Sequence, residues 1–340
     1  MDRKAKDVRR RGDEDAKLLP QRAAALISAV FIMLALLFSA AFPGDFRLLM
    51  ADSMRSRPVV SVKSAATPAP TSDLSILIRL ADVDKDVSPD VIIKLMNMTA
   101  DSEGISLRGD EPKVLVYHTH NTEAYTETPE STYVSSGLWR TEDNERNVVA
   151  VGEELCRILN EEYGICAIHA TEQHEKPLIT TAYSRSLETV LSYKERYPSL
   201  EIFIDLHRDG VPETGYEDDY VTVDGKPCAR MMFVVGTGKS GKNSQTDPGG
   251  TSAADEDMPD FESNYALAAR LTETLLSYND KFMRNVRVKS GKYNQQVSSK
   301  CLLVEVGHNA NTLEQAMNSM EYLARAIAEL EPDYNKKAPS

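Results

Sequence analysis

The chain has 340 residues, with 52 Asp plus Glu against 39 Lys plus Arg and a formal net charge of −13. That length fits one core-forming domain of roughly 200–250 residues with additional segments. The acidic balance argues against nucleic acid as a partner, because phosphate neutralisation needs clustered Lys and Arg. Four cysteines (Cys156, Cys166, Cys228, Cys301), none in Cys-x-x-Cys spacing, are few for a disulfide scaffold and read as buried thiols.

The amino terminus carries the clustered positive charge. Arg3, Lys4, Lys6, Arg9, Arg10, Arg11, Lys17 and Arg22 form a basic tail over residues 1–22. An uncharged stretch follows from Ala23 to Phe42. As a helix it spans about 30 Å, the thickness of a bilayer core. The segment 23–42 therefore reads as a transmembrane helix, and its basic flank keeps the amino terminus cytoplasmic and all that follows Pro43 outside. The alternative is a cleaved signal peptide ending near Ser39-Ala40-Ala41, but the apolar run exceeds the roughly 7–15 residues of a signal core.

Residues 43–109 carry Pro58, Pro68, Pro70 and many Ser and Thr, the composition of an extracytoplasmic linker. Within it, the segments beginning at Leu74 and Val91 have the pattern of short amphipathic helices. Residues 110–335 read as the catalytic domain. A strand at 113–119 leads to a helix at 144–163, where Val148, Val151, Leu155, Ile158 and Leu159 recur at helical spacing before Gly164. A strand at 165–170, a helix at 183–196 and a strand at 201–206 follow. Asp224-Gly225 marks a turn between Tyr220–Val223 and Arg230–Val235. Residues 236–259, rich in Gly, Ser and Asp, read as a loop. A helix at 262–280, strands at 285–289 and 301–306, and a helix capped by Thr312 with Gln315 complete the chain. Strand–helix alternation of this kind predicts an α/β fold: a mostly parallel twisted sheet with helices on both faces.

Three of these apolar strands end in metal-competent or basic side chains: His118, His120 and Glu123 after the first, His207 after Ile202-Phe-Ile-Asp-Leu, and Glu305 after Cys301-Leu-Leu-Val. Strand carboxyl ends form the ligand crevice of open α/β sheets. Two histidines and one carboxylate are a zinc-peptidase donor set, so His120, Glu123 and His207 are candidate Zn2+ ligands, with Glu145 as rival to Glu123. His118, on the same side of the strand as His120, is a candidate either as a ligand itself or to orient one of them. Glu305, a carboxylate at the end of a buried strand, suits a general base that then protonates the leaving amine. Arg208 is the candidate clamp for a substrate carboxylate, Asp209 can fix an imidazole, and His308 can stabilise an oxyanion. Arg185 is a weaker clamp, and His169 and His174 have no comparable partners in the sequence.

Five motifs occur in order: Tyr117-His-Thr-His-Asn-Thr-Glu-Ala-Tyr125, Asn147-Val-Val-Ala-Val-Gly-Glu-Glu-Leu155, Ala182-Tyr-Ser-Arg-Ser186, Ile204-Asp-Leu-His-Arg-Asp209 and Val304-Glu-Val-Gly-His-Asn-Ala-Asn311. They closely resemble the stage II sporulation protein P family of endospore-forming bacteria. The resemblance implies a phosphorylase/hydrolase-like sheet of the amidase type and a zinc-dependent N-acetylmuramoyl-L-alanine amidase that also cleaves peptide cross-links. It further implies action on peptidoglycan at the septum during forespore engulfment, beside the stage II sporulation proteins D and M. Carried over from the related amidases, zinc falls to His120, Glu145 or Glu123, and His207, and catalysis to Glu305. The glycine-rich turn of the amidases is replaced here by Asn121-Thr-Glu123, which leaves the third ligand open. Two other readings remain: a wall-binding scaffold with a vestigial metal site, and a peptidase acting on cross-links alone.

Overall fold

The computed structural model describes residues 81–85, 87–98, 104–212, 215–216, 219–238, 258, 260–332 and 334. The chain divides into units Met1–Thr67 and Pro68–Ser340, and every described residue belongs to the second. The basic tail, the segment 23–42 and most of the loop 236–259 lie outside the described residues, among which no helix is long and apolar enough to cross a membrane.

The elements in chain order are β1 (Ala81–Val83), α1 (Pro89–Asn97), β2 (Gly109–Tyr117), α2 (Val148–Glu161), β3 (Ile165–His169), α3 (Ala182–Arg196), β4 (Ile202–Asp209), β5 (Tyr220–Val223), β6 (Lys226–Ala229), β7 (Met231–Gly236), α4 (Phe261–Tyr278), β8 (Val286–Lys289), β9 (Cys301–His308) and α5 (Leu313–Ala328). Seven strands form one sheet in the order β1-β8-β7-β9-β4-β2-β3. All its neighbours are parallel except β7 and β9, which are antiparallel. The carboxyl ends of β2, β4 and β9 therefore share a rim with the amino ends of β7 and β8.

Both faces are covered, which is why the strands read as continuous apolar runs. Val114 and Val116 of β2 join the large core under α2, α4 and α5, while Leu115 and Tyr117 point the other way, against Val190 of α3 and Phe203. The predicted stripe on α2 is buried, and its start is set by Asn147, whose side chain accepts from the Val149 N–H at 2.9 Å. Gly164, at φ 63°, ends the turn after that helix in a conformation that favours glycine. The capping box on α5 forms as expected, with Thr312 and Gln315 satisfying each other's main-chain N–H groups.

Two segments fall differently from the sequence reading. The Asp224-Gly225 turn is present with both residues at positive φ, but the second strand of its hairpin is β6. The segment expected there, β7, has six consecutive buried residues and no polar face for a two-stranded ribbon, so it enters the main sheet. Within the stretch read as a linker, β1 pairs with β8, and Val91, Leu95 and Met98 of the α1 region bury in the large core.

Candidate active site

The strand ladder assembles the site. Cα register pairs His207 on β4 with Glu305 on β9, side by side on one face of the sheet. His120 and Glu123 lie in the turn after β2, where the Glu123 N–H donates to the His120 carbonyl at 3.3 Å. The rings of His120 and His207 are 5.5 Å apart between centroids, crossed at 78°. Glu123 Oε2 lies 3.3 Å from His207 Nδ1 and accepts from the Arg208 N–H at 3.1 Å. Nε2 of His207 is 2.8 Å from Asp205 Oδ1 but off the hydrogen-bond direction, so that buried atom has no hydrogen-bond partner.

Electrostatics follow from this crowding. Burial disfavours the charged forms of both His207 and Glu123, yet each is held charged by the other. Asp205 and Glu123 keep the His207 imidazolium well above its ordinary range, and His207 with Arg208 pulls the Glu123 carboxyl down to about 2. Glu305 behaves in the opposite way. Burial, reinforced by the charges of Glu123 and Asp209 and opposed by His207, pushes it up to about 8. Its Oε2 is buried without a partner although the residue as a whole keeps some exposure.

Several supporting groups have no signal in the sequence. Glu175, on the loop after β3, contacts His120 Nδ1 at 3.2 Å, accepts from the Thr122 N–H at 2.9 Å and pairs with Arg140. Asp205, two residues before His207 on the same face, accepts from the Thr119 N–H and hydroxyl at 2.8 and 2.6 Å and so fixes the turn that carries His120. Thr119 Oγ1 contacts Ser186 on α3, which in turn accepts from the Asn294 amide. Tyr183 stands edge-on to the His120 ring. Of these only Asp205 has a local trace, as a carboxylate inside an apolar strand, and it is not among the candidates named from the sequence.

The other candidates are placed as follows. Glu145 is exposed in the turn before α2, its N–H on Asp143 Oδ1, and among the described residues it forms no ion pair with either histidine. The helix begins at Val148 rather than 144, which leaves Glu145 outside it. The Arg208 guanidinium, expected at a substrate carboxylate, is buried and donates to the carbonyls of Ala124 and Trp139, holding the turn that bears Glu123. Asp209 pairs with Arg284, and His308 with Asp219. His118 bonds the Leu206 carbonyl through Nδ1 and His169 Nε2 through its own Nε2, each at 2.8 Å. Burial and the neighbouring His169 lower its pKa to about 3, so it is neutral. His169 continues this chain to Glu153, His174 links the His118 carbonyl to Thr189, and Arg185 donates to the carbonyls of His174 and Leu178.

Among the described residues no group of three His, Cys, Asp or Glu side chains is arranged to hold a metal ion as it stands. The donor chemistry of His120, Glu123 and His207 nevertheless fits zinc. The 3.3 Å between His207 Nδ1 and Glu123 Oε2 is about the edge of a tetrahedron with 2.0–2.1 Å bonds. Glu175 on the second nitrogen of His120, and Asp205 beside that of His207, are the carboxylates that orient histidine ligands. His207 and Glu123 act as each other's counter-charge.

A family model described as Stage II sporulation protein P (SpoIIP) matches residues 68–328. Stage II sporulation protein P of Bacillus subtilis (strain 168) is 28% identical over 244 residues, covering 67% of this chain and 53% of that protein. The chain thus spans about half the length of that curated relative. Among solved structures, the N-acetylmuramoyl-L-alanine amidase AmiC2 of Nostoc punctiforme is 17% identical with a TM-score of 0.36, covering 67% of this chain and 100% of that one. The catalytic domain of CwlV, an N-acetylmuramoyl-L-alanine amidase from Bacillus (Paenibacillus) polymyxa var. colistinus, is 10% identical with a TM-score of 0.36, covering 66% and 99%. With the family model extending from residue 68 to 328 of 340, the chain belongs to the stage II sporulation protein P family.

Proposed function

We propose that this protein is a zinc-dependent peptidoglycan hydrolase of sporulation, an N-acetylmuramoyl-L-alanine amidase held on the cell membrane by residues 23–42 with its catalytic domain outside. The observation that carries the reading is the convergence of His207, Glu123 and Glu305 beside the His120 ring, with a buried Glu305 oxygen left unpartnered. In this reading His120, Glu123 and His207 hold the zinc, which when bound supplies Lewis acidity toward the amide carbonyl and toward water. Glu305 takes a proton from the attacking water and returns it to the departing amine; with the cation bound, its carboxyl is drawn down from the value of about 8 that burial gives it, so that it starts ionised. Glu175 and Asp205 keep the two imidazoles oriented, and Arg208 holds the Glu123 turn in place. The stage II sporulation proteins D and M are the partners this reading assigns.

Digestion of purified sacculi tests it. Full-length protein is expected to release stem peptides with a free L-alanine amine, and Glu305→Gln to slow release by at least about 100-fold. Products containing only cleaved bridges would mark a cross-link peptidase. Sacculi left intact by folded, zinc-loaded protein would leave the scaffold reading standing and end this one.

A further inference from the structure

The rim that carries Glu305 continues sideways into a cleft of about 310 Å³ lined by Asp82, Arg230, Met232, Met283, Arg284, Asn285 and Arg287. Register places it on the catalytic face. Glu305 pairs with Met232 of β7, and two residues on, Val234 pairs with Arg287 of β8, which pairs with Asp82 of β1. Residues two apart on a strand share a face, so Glu305, Met232, Arg287 and Asp82 all point to the same side.

Buried polar atoms without a partner concentrate here. Of eight such atoms among the described residues, four are N–H donors on this rim: Asn309 Nδ2, Arg284 Nε and Nη2, and Arg287 Nε. A buried donor without an acceptor costs more when it is charged, so this concentration marks a surface shaped for a ligand's oxygens. Arg284 is the most specific of them. Its Nη1 donates to Asp209 Oδ2 at 2.8 Å, and the two nitrogens left over, Nε and Nη2, form the side-on fork that grips a carboxylate with two parallel bonds. Arg230 is spent on Asp219 and the Lys281 carbonyl, and Arg287 touches Asp82 at 3.8 Å. Since each arginine faces an aspartate, the cleft selects by hydrogen-bond geometry rather than by net charge.

We propose that this cleft is a subsite for a peptide carboxylate, held by the Nε–Nη2 edge of Arg284 with Arg287 beside it. The Nη1 contact to Asp209 Oδ2 sets the Arg284 head at the ends of β4 and β9, on the same rim as Glu305. The preferred substrate, on the hydrolase reading above, is a peptide with a free carboxylate close to the scissile amide; the anion site itself does not depend on that reading.

Calorimetric titration of the full chain with two N-acetyl tripeptides, identical except for a terminal carboxylate or carboxamide, tests the proposal. The carboxylate peptide is expected to bind roughly tenfold or more tighter. Arg284→Lys, which keeps the charge and loses the fork, and Arg287→Gln should each shrink that preference. Equal binding of the two peptides, binding of neither, or an undiminished preference in Arg287→Gln overturns it, and the wild-type comparison stands even if an Arg284 variant does not fold. Sacculus digestion measured in parallel separates the two ideas: a carboxylate preference retained by protein that releases nothing supports the subsite and counts against the hydrolase alone.

Discussion

Replacing Glu305 by Gln probes its carboxyl group with almost no change in shape. The folded protein holds Glu305 at about 8, against about 4.3 in an unfolded chain. Between those values the folded state keeps a proton that the unfolded state releases, so stability falls as pH rises, by up to about 1.4 kcal/mol per unit. From pH 5.5 to 7.5 the ceiling is about 3 kcal/mol, the lowering by the adjacent His207 imidazolium being already contained in the value of about 8. Glutamine carries no such slope. His207, with its raised pKa, also loses its stabilising contribution as pH rises, but it does so in both proteins and drops out of the difference. Urea unfolding of the two full-length proteins in chelator, at both pH values, is the assay. Glu305→Gln is expected to gain on the wild type by that margin between pH 5.5 and 7.5. Parallel pH slopes would refute the account of a buried, proton-holding carboxyl at this position.

Other outcomes follow from neighbouring contacts. Gly152→Ala adds a Cβ at 2.7 Å from His118 Nε2 and 2.8 Å from His169 Nε2. Overpacking of this kind costs about 1–3 kcal/mol, more than the roughly 1 kcal/mol gained in helix propensity, so a melting temperature at or above wild type would contradict the packing. Glu175→Gln removes the charged partner of His120 Nδ1 and is expected to weaken zinc binding about 10- to 100-fold in a chromophoric chelator competition. Thr312→Ala deletes the capping-box hydroxyl of α5 and should cost about 1 kcal/mol in denaturant unfolding, with little effect on zinc affinity.

The parts legible in the sequence are those set by local rules. Apolar runs ending in polar side chains located β2, β4 and β9, and the Thr312–Gln315 pair located the start of α5. Features settled by long-range contact were less visible. Whether 231–236 pairs with its sequence neighbour or with β9 depends on which surface needs covering, and turn chemistry alone pointed to the wrong strand. The short β1 has only three residues, too few for a periodic signal, and sits in Pro- and Ser-rich sequence. Within the site, Glu123 and Glu145 looked equivalent until the turn following β2 brought one to His207 and the late start of α2 left the other in solvent. Glu175 joins His120 across 55 positions, a pairing without local trace. Arg208 shows the converse problem: an arginine beside a reactive histidine suggests substrate binding, yet main-chain carbonyls already occupy its donors.

The order in which the sheet is synthesised differs from the order in which its strands lie. β9, encoded near the end of the described sequence, occupies the middle of the sheet between β7 and β4 and brings Glu305 with it. During translation the earlier strands thus emerge with a gap at the centre, their two halves joined by no ladder. A nascent or truncated chain ending before Cys301 lacks both that bridge and the Glu305 carboxyl, so the proposed hydrolytic site would be completed in a single late step, with insertion of one eight-residue strand.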